Sequence, residues 1–174
     1  MSKGHFQLDP ESDADCCLLR VRLLRATGLP RTDVGDCNPY LKLRIGSSER
    51  KSHTVKGNRN PVWDADIELS VPRALVERQG AFNLLLTMCN WNRFCPDDEL
   101  GSISVSLDVL ASPAGVASVQ TYTKELVPAV DRANPERTTG GCGRVVFSVQ
   151  WLSPPEGIHP QVSPLASTNR SGWS

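Results

Sequence analysis

Apolar and polar residues alternate with a period of two at four places along the chain. Leu19, Val21 and Leu23 flank Arg20 and Arg22, and Leu41, Leu43 and Ile45 follow Tyr40, Lys42 and Arg44 in turn. Ile103, Val105 and Leu107 are separated by serines, and Val145, Phe147 and Val149 alternate with Val146, Ser148 and Gln150. Such alternation turns one face of a strand to a core and the other to solvent. Weaker versions at 50–56, 62–69, 82–88 and 121–127 bring the expected number of strands to eight. One helical turn is expected within 71–79 and an irregular crossing over 108–118. Short strands separated by turn residues predict an all-β, antiparallel β-sandwich.

Composition agrees with this pattern. The 174 residues include 13 Gly and 13 Pro, which supply turns, and 39% hydrophobic residues, enough for a packed core. The longest purely aliphatic stretch, Leu84-Leu85-Leu86, is far below the roughly 18 to 20 residues of a membrane span. Lys plus Arg number 19 and Asp plus Glu number 19, so the formal charge is zero and a general nucleic-acid binder is excluded. Residues 1–15 read as a polar, acidic leader, 16–152 as the sandwich, and 153–174 as a Pro/Ser-rich tail expected to be disordered. The first residues lack an apolar run of signal-peptide length, so a cytosolic chain or a mature fragment is expected.

Two stretches carry more polar ligands than strand connections need. One runs from Arg31 to Tyr40 with Asp33, Asp36 and Asn38; the other runs from Asn90 to Glu99 with Asn92, Asp97 and Asp98. Hard cations such as calcium take six to eight oxygen ligands, and loops can offer both carboxylates and carbonyls. Asp, Asn and Gly are also ordinary turn formers, so either loop alone reads equally as a connection. Six cysteines, at 16, 17, 37, 89, 95 and 142, match no zinc spacing and allow free thiols or one or two bridges. His5, His53 and His159 lie far apart in sequence, no nucleophile–base arrangement stands out, and enzyme activity is not expected.

Three strings together resemble the C2 domain family. Leu29-Pro30, Asp33 and Asn38-Pro39-Tyr40-Leu41-Lys42-Leu43 are similar to its first calcium loop. Asn60-Pro61-Val62-Trp63 is similar to its N-P-x-W, and Asn90-Trp91-Asn92 with Asp98 and Leu100-Gly101 has its third-loop spacing. The resemblance spans about 16–152 and, with the first loop following the first strand, implies the second (type II) C2 topology. Within the family the chain resembles the C2 domains at the C-terminal end of perforins, through Gly46 to Trp63, Asp97 to Ser102, Gly143-Arg144-Val145 with Phe147-Ser148, and Asn169 to Gly172. The pore-forming part of perforins is absent from this sequence. That likeness would allow a secreted chain, in which Asn169-Arg170-Ser171 is a glycosylation sequon.

The resemblance also implies a site. Five loop positions that hold aspartates in calcium-dependent members are Asp33, Asn38, Asn90, Asn92 and Asp98 here, so three carry amides. Each lost carboxylate forfeits an attraction of several kcal/mol gross (about 4 kcal/mol per unit-charge pair at roughly 4 Å and a dielectric near 20). Calcium binding is therefore expected to be weak or absent, with Asp36, Asp97 and Glu99 as partial compensation. The amides also lift repulsion toward anionic lipid. The expected function is then peripheral docking on a phospholipid membrane through 31–38 and 90–98, with Arg93 and Phe94 at the tip. Arg50, Lys51, His53 and Lys56 form a basic stretch of the kind that many members of the family use for phosphoinositide headgroups. Anionic lipid is favoured as partner and a monomer is expected. The alternatives are a C2 domain that binds a protein, and a calcium-dependent lipid binder. Cys37, Cys89 and Cys95 are expected at the same end of the sandwich.

Overall fold

A computed structural model describes residues 16–31, 35–77, 83–107, 119–129 and 142–153. The expected leader, the crossing at 108–118, the tail after 153 and the ligand candidate Asp33 lie outside the described residues. Among the described residues, nine strands and one short helix follow in order: β1 (Cys16–Thr27), β2 (Pro39–Ile45), β3 (Ser48–Lys51), β4 (Val62–Pro72), α1 (Arg73–Glu77), β5 (Asn83–Asn90), β6 (Asp98–Ser106), β7 (Gln120–Glu125), β8 (Val127–Pro128) and β9 (Arg144–Ser153).

They form two antiparallel sheets, one ordered β4-β1-β9-β7 and the other β3-β2-β5-β6-β8. The inner faces bury the alternating residues named above. Leu19, Leu23 and Phe147 from the first sheet meet Leu41, Leu43, Leu84 and Leu86 from the second in one core. Phe147 also stacks on Tyr122, with ring centroids 5.3 Å apart. In β1 the buried set runs Cys17, Leu19, Val21, Leu23 and then Ala26. The skipped beat is a β-bulge, seen as a register shift between Leu23 and Arg25 against both neighbouring strands.

The expected helical turn is α1. Two expected strands differ from what forms. The stretch 121–127 divides, because β7 pairs with β9 whereas β8 pairs with β6 in the other sheet. Leu126, buried between them, marks where the chain crosses layers. The stretch 50–56 forms a strand only through Lys51; from Ser52 the chain leaves the sheet edge, and Ser52 N and Val55 N donate to Leu41 O and Pro39 O.

Register determines where the connections lie. Pro39 pairs with Asn90, Arg25 with Val62 and Thr27 with Arg144. The connections β1–β2, β3–β4 and β5–β6 therefore start and finish at one end of the sandwich.

Candidate functional site

Backbone hydrogen bonds join these three loops. Trp91 N donates to Asn38 O at 2.9 Å, Asn58 N to Cys37 O at 3.0 Å, and Leu29 N to Arg59 O at 3.1 Å. The Asn38 amide adds two more: its Oδ1 accepts from Gly57 N at 3.0 Å and its Nδ2 donates to Trp91 O at 3.3 Å. Asn60-Pro61-Val62-Trp63 works in the same scaffold. Asn60 Oδ1 accepts from Gly28 N at 2.8 Å, and Trp63 Nε1 donates to His53 O at 3.0 Å.

Within this frame, Asn90, Asn92, Asp97 and Asp98 form a network. Asn90 is the one buried polar side chain among the described residues, at 3% exposure. Its Oδ1 accepts from Asn38 N at 2.8 Å, which turns its Nδ2 toward Asn92 Oδ1 at 3.0 Å and Asp98 Oδ2 at 3.4 Å. Asn92 Nδ2 donates to Pro96 O and to Asp98 Oδ2, both at 3.0 Å. Both of those partners only accept, so the orientation of the Asn92 amide is unambiguous. Asn92 N donates to Asp97 Oδ1 at 3.0 Å, and Tyr40 Oη donates to Asp97 Oδ2 at 2.7 Å. The Tyr40 hydroxyl, followed by the Asn92 N–H, holds the Asp97 carboxyl below the usual carboxylate range. Burial, together with Asp97, pushes the Tyr40 phenol up.

Asp36 and Glu99 have other neighbours. Asp36 faces Arg31 at 3.9 Å across an exposed pair that adds little stability. Glu99 and Asp98 belong to β6, so the second polar loop is shorter than its sequence implies. Among the described residues no group of three or more His, Cys, Asp and Glu side chains is placed to hold a metal. Cys37 and Cys89 are buried thiols whose ionisation is pushed up by burial, and Cys95 is an exposed thiol.

At the tip, Phe94 is 90% exposed and Trp91 36% exposed. Each ring lies under a cation: Arg93 Cζ is 5.2 Å from the Phe94 centroid, and Lys56 Nζ is 5.7 Å from the Trp91 centroid. Lys56 and His53 lie in the 52–61 loop rather than on the strand expected for them. That expected basic stretch is therefore two features. Lys56 joins the aromatic tip, while Lys51 pairs across the ladder with Lys42 on β2. Lys51 Nζ also lies 5.9 Å from the Tyr40 ring centroid. Lys42 and Arg44 line a groove of about 290 Å³ on the outer face of the five-stranded sheet, together with Glu49 and Glu99. Arg50 is paired with Leu43, which puts it on the other side of the strand. Three residues that bear on the site are not among those expected in it from the sequence: Trp91, Lys42 and Arg44. The last two are legible as the polar half of the period-two pattern, because a hairpin pairing sets Lys42 beside Lys51.

The C2 domain family model matches residues 17–121, and the chain belongs to that family. It is 28% identical over 143 residues to the Arabidopsis thaliana protein C2-DOMAIN ABA-RELATED 11, covering 78% of this chain and 82% of that one. It is 29% identical over 97 residues to the ADP-ribosylation factor GTPase-activating protein AGD12 of the same plant, covering 56% of this chain but 27% of AGD12. Among solved structures, a C2 domain of plant extended synaptotagmin 1 superposes with a TM-score of 0.61 at 18% identity, over 79% of this chain and 95% of that one. Fold and family thus agree with the sandwich read from the alternation. A C2 domain is a binding module, commonly one for lipid or membrane, and the similarity to AGD12 covers only part of that longer chain.

Proposed function

We propose that this C2 domain docks peripherally on phospholipid membranes through the loop end at 31–38 and 90–98, without requiring calcium. The observation that carries this reading is the tip itself. Phe94, 90% exposed, and Trp91 project beside Lys56 and Arg93 at the end where three loops converge. An apolar ring next to a cation suits the boundary between acyl chains and phosphate headgroups. Lys42, Arg44 and Lys51 on the outer face of the five-stranded sheet add attraction for anionic lipid. The perforin-like strings point to the same class of partner, a lipid surface. No helix among the described residues is long and apolar enough to cross a membrane.

Co-sedimentation with vesicles of phosphatidylcholine, alone or mixed with phosphatidylserine, tests this in calcium and in chelator. Binding is expected under both conditions and stronger with phosphatidylserine. Phe94→Ala should weaken it roughly tenfold to a hundredfold, the effect of losing one buried aromatic ring. Absence of binding to either vesicle would refute the reading and favour a protein partner. Binding seen only with calcium would favour the calcium-dependent alternative.

A further inference from the structure

The C2 family commonly holds calcium between these loops, and the residues described here do not fit that ion. A cation needs oxygen lone pairs converging on it. Asn90 Oδ1 is turned to Asn38 N at 2.8 Å, and Asn38 Oδ1 to Gly57 N at 3.0 Å. What converges on Asp98 Oδ2 instead is N–H: Asn92 Nδ2 at 3.0 Å and Asn90 Nδ2 at 3.4 Å. Turning either amide over would set oxygen against oxygen, at Asp98 and Pro96 for Asn92 and at Asp98 for Asn90. Each oxygen of the Asp97 carboxylate already accepts one hydrogen bond, from Asn92 N at 3.0 Å and from Tyr40 Oη at 2.7 Å.

We infer that the side-chain amides of Asn90 and Asn92 take the place of the cation. They supply the positive ends of N–H dipoles to the Asp98 carboxylate and keep the loop end assembled at any calcium concentration. Aspartates at the same two positions could not donate. They would bring two further carboxylates against Asp98, a repulsion that only a bound cation relieves. This inference rests on the membrane-docking reading for its biological meaning, because the loops so held are those of the proposed docking surface. It makes Asn90 and Asn92 the residues that determine whether the domain responds to calcium.

The test uses the full chain and its Asn90→Asp/Asn92→Asp variant, with thermal unfolding and vesicle co-sedimentation each done in chelator and in millimolar calcium. For the unaltered protein the Tm should be the same in both conditions. The variant should melt lower in chelator and recover by roughly 5 °C or more when calcium is added. If vesicles bind, its retention should fall about tenfold in chelator and return with calcium. A calcium-induced rise in the Tm of the unaltered protein would overturn the inference, as would a variant whose melting ignores calcium. Should the variant fail to fold even with calcium, the unaltered protein's melting still decides, since a calcium-holding site must raise it. The melting result is independent of lipid, so failure of vesicle binding alone would strike the docking reading and leave this one standing.

Discussion

Asp97 shows how a single residue can be legible in type and hidden in role. Its sequence position suggests a helper for calcium; instead it ties Tyr40 on β2 to the backbone of Asn92. Its carboxyl is held below the usual range, first by the Tyr40 hydroxyl and then by the Asn92 N–H. A depressed carboxyl pKa stabilises the fold above the unfolded value, near about 3.9, and that contribution is lost as pH falls through the folded value. In Tyr40→Phe the first of the two causes is gone. Asp97 should then titrate closer to an ordinary aspartate, followed by NMR of its carboxyl carbon, and the variant should lose less stability on acidification. An unchanged Asp97 titration in the variant would show that the hydroxyl does not set it. The same limit applies to Asn90 and Asn92: their amides are identifiable in the sequence, but whether oxygen or nitrogen faces the site depends on neighbours distant along the chain, such as Asn38.

At the scale of elements, the alternation of apolar residues is enough for the two sheets, because a half-buried strand must repeat every second residue. It fails where pairing rather than burial decides. Nothing in 121–127 marks the step at Leu126 from one sheet to the other, and nothing in 50–56 marks the exit after Lys51. Gly101 gives another instance. In the sequence it belongs to a loop signature, yet it lies within β6, where a Cβ would sit 2.7 Å from Val127 O on β8. Only glycine lets that short strand approach. Gly101→Ala should therefore cost about 1–3 kcal/mol, since the obstructing atom is backbone and cannot swing aside. The expected drop in Tm is roughly 2–4 °C for each kcal/mol in a chain of this size. Melting within a degree of the unaltered protein would mean that β8 shifts freely, and that the pairing with β6 carries no stability.

For the molecule as a whole, a formal charge of zero conceals two cationic zones with different neighbours. Lys56 and Arg93 cover aromatic rings at the loop end, whereas Lys42 and Lys51 lie together on the outer face of a sheet. A bilayer should register these separately. Lysines on the sheet face act through the surface potential of anionic lipid, worth about 1 kcal/mol each near the surface and screened within a Debye length of roughly 8 Å at physiological salt. Lys42→Gln/Lys51→Gln should thus weaken binding to phosphatidylserine vesicles about tenfold or more at low salt and flatten its dependence on salt. Binding to neutral vesicles should hardly change. Phe94→Ala should do the converse, lowering both and leaving the salt slope intact, because ring insertion does not depend on lipid charge. Co-sedimentation across a salt series separates the two variants. Equal losses on neutral and anionic vesicles for the lysine pair would mean that the sheet face is no part of the docking surface and that the loop end acts alone.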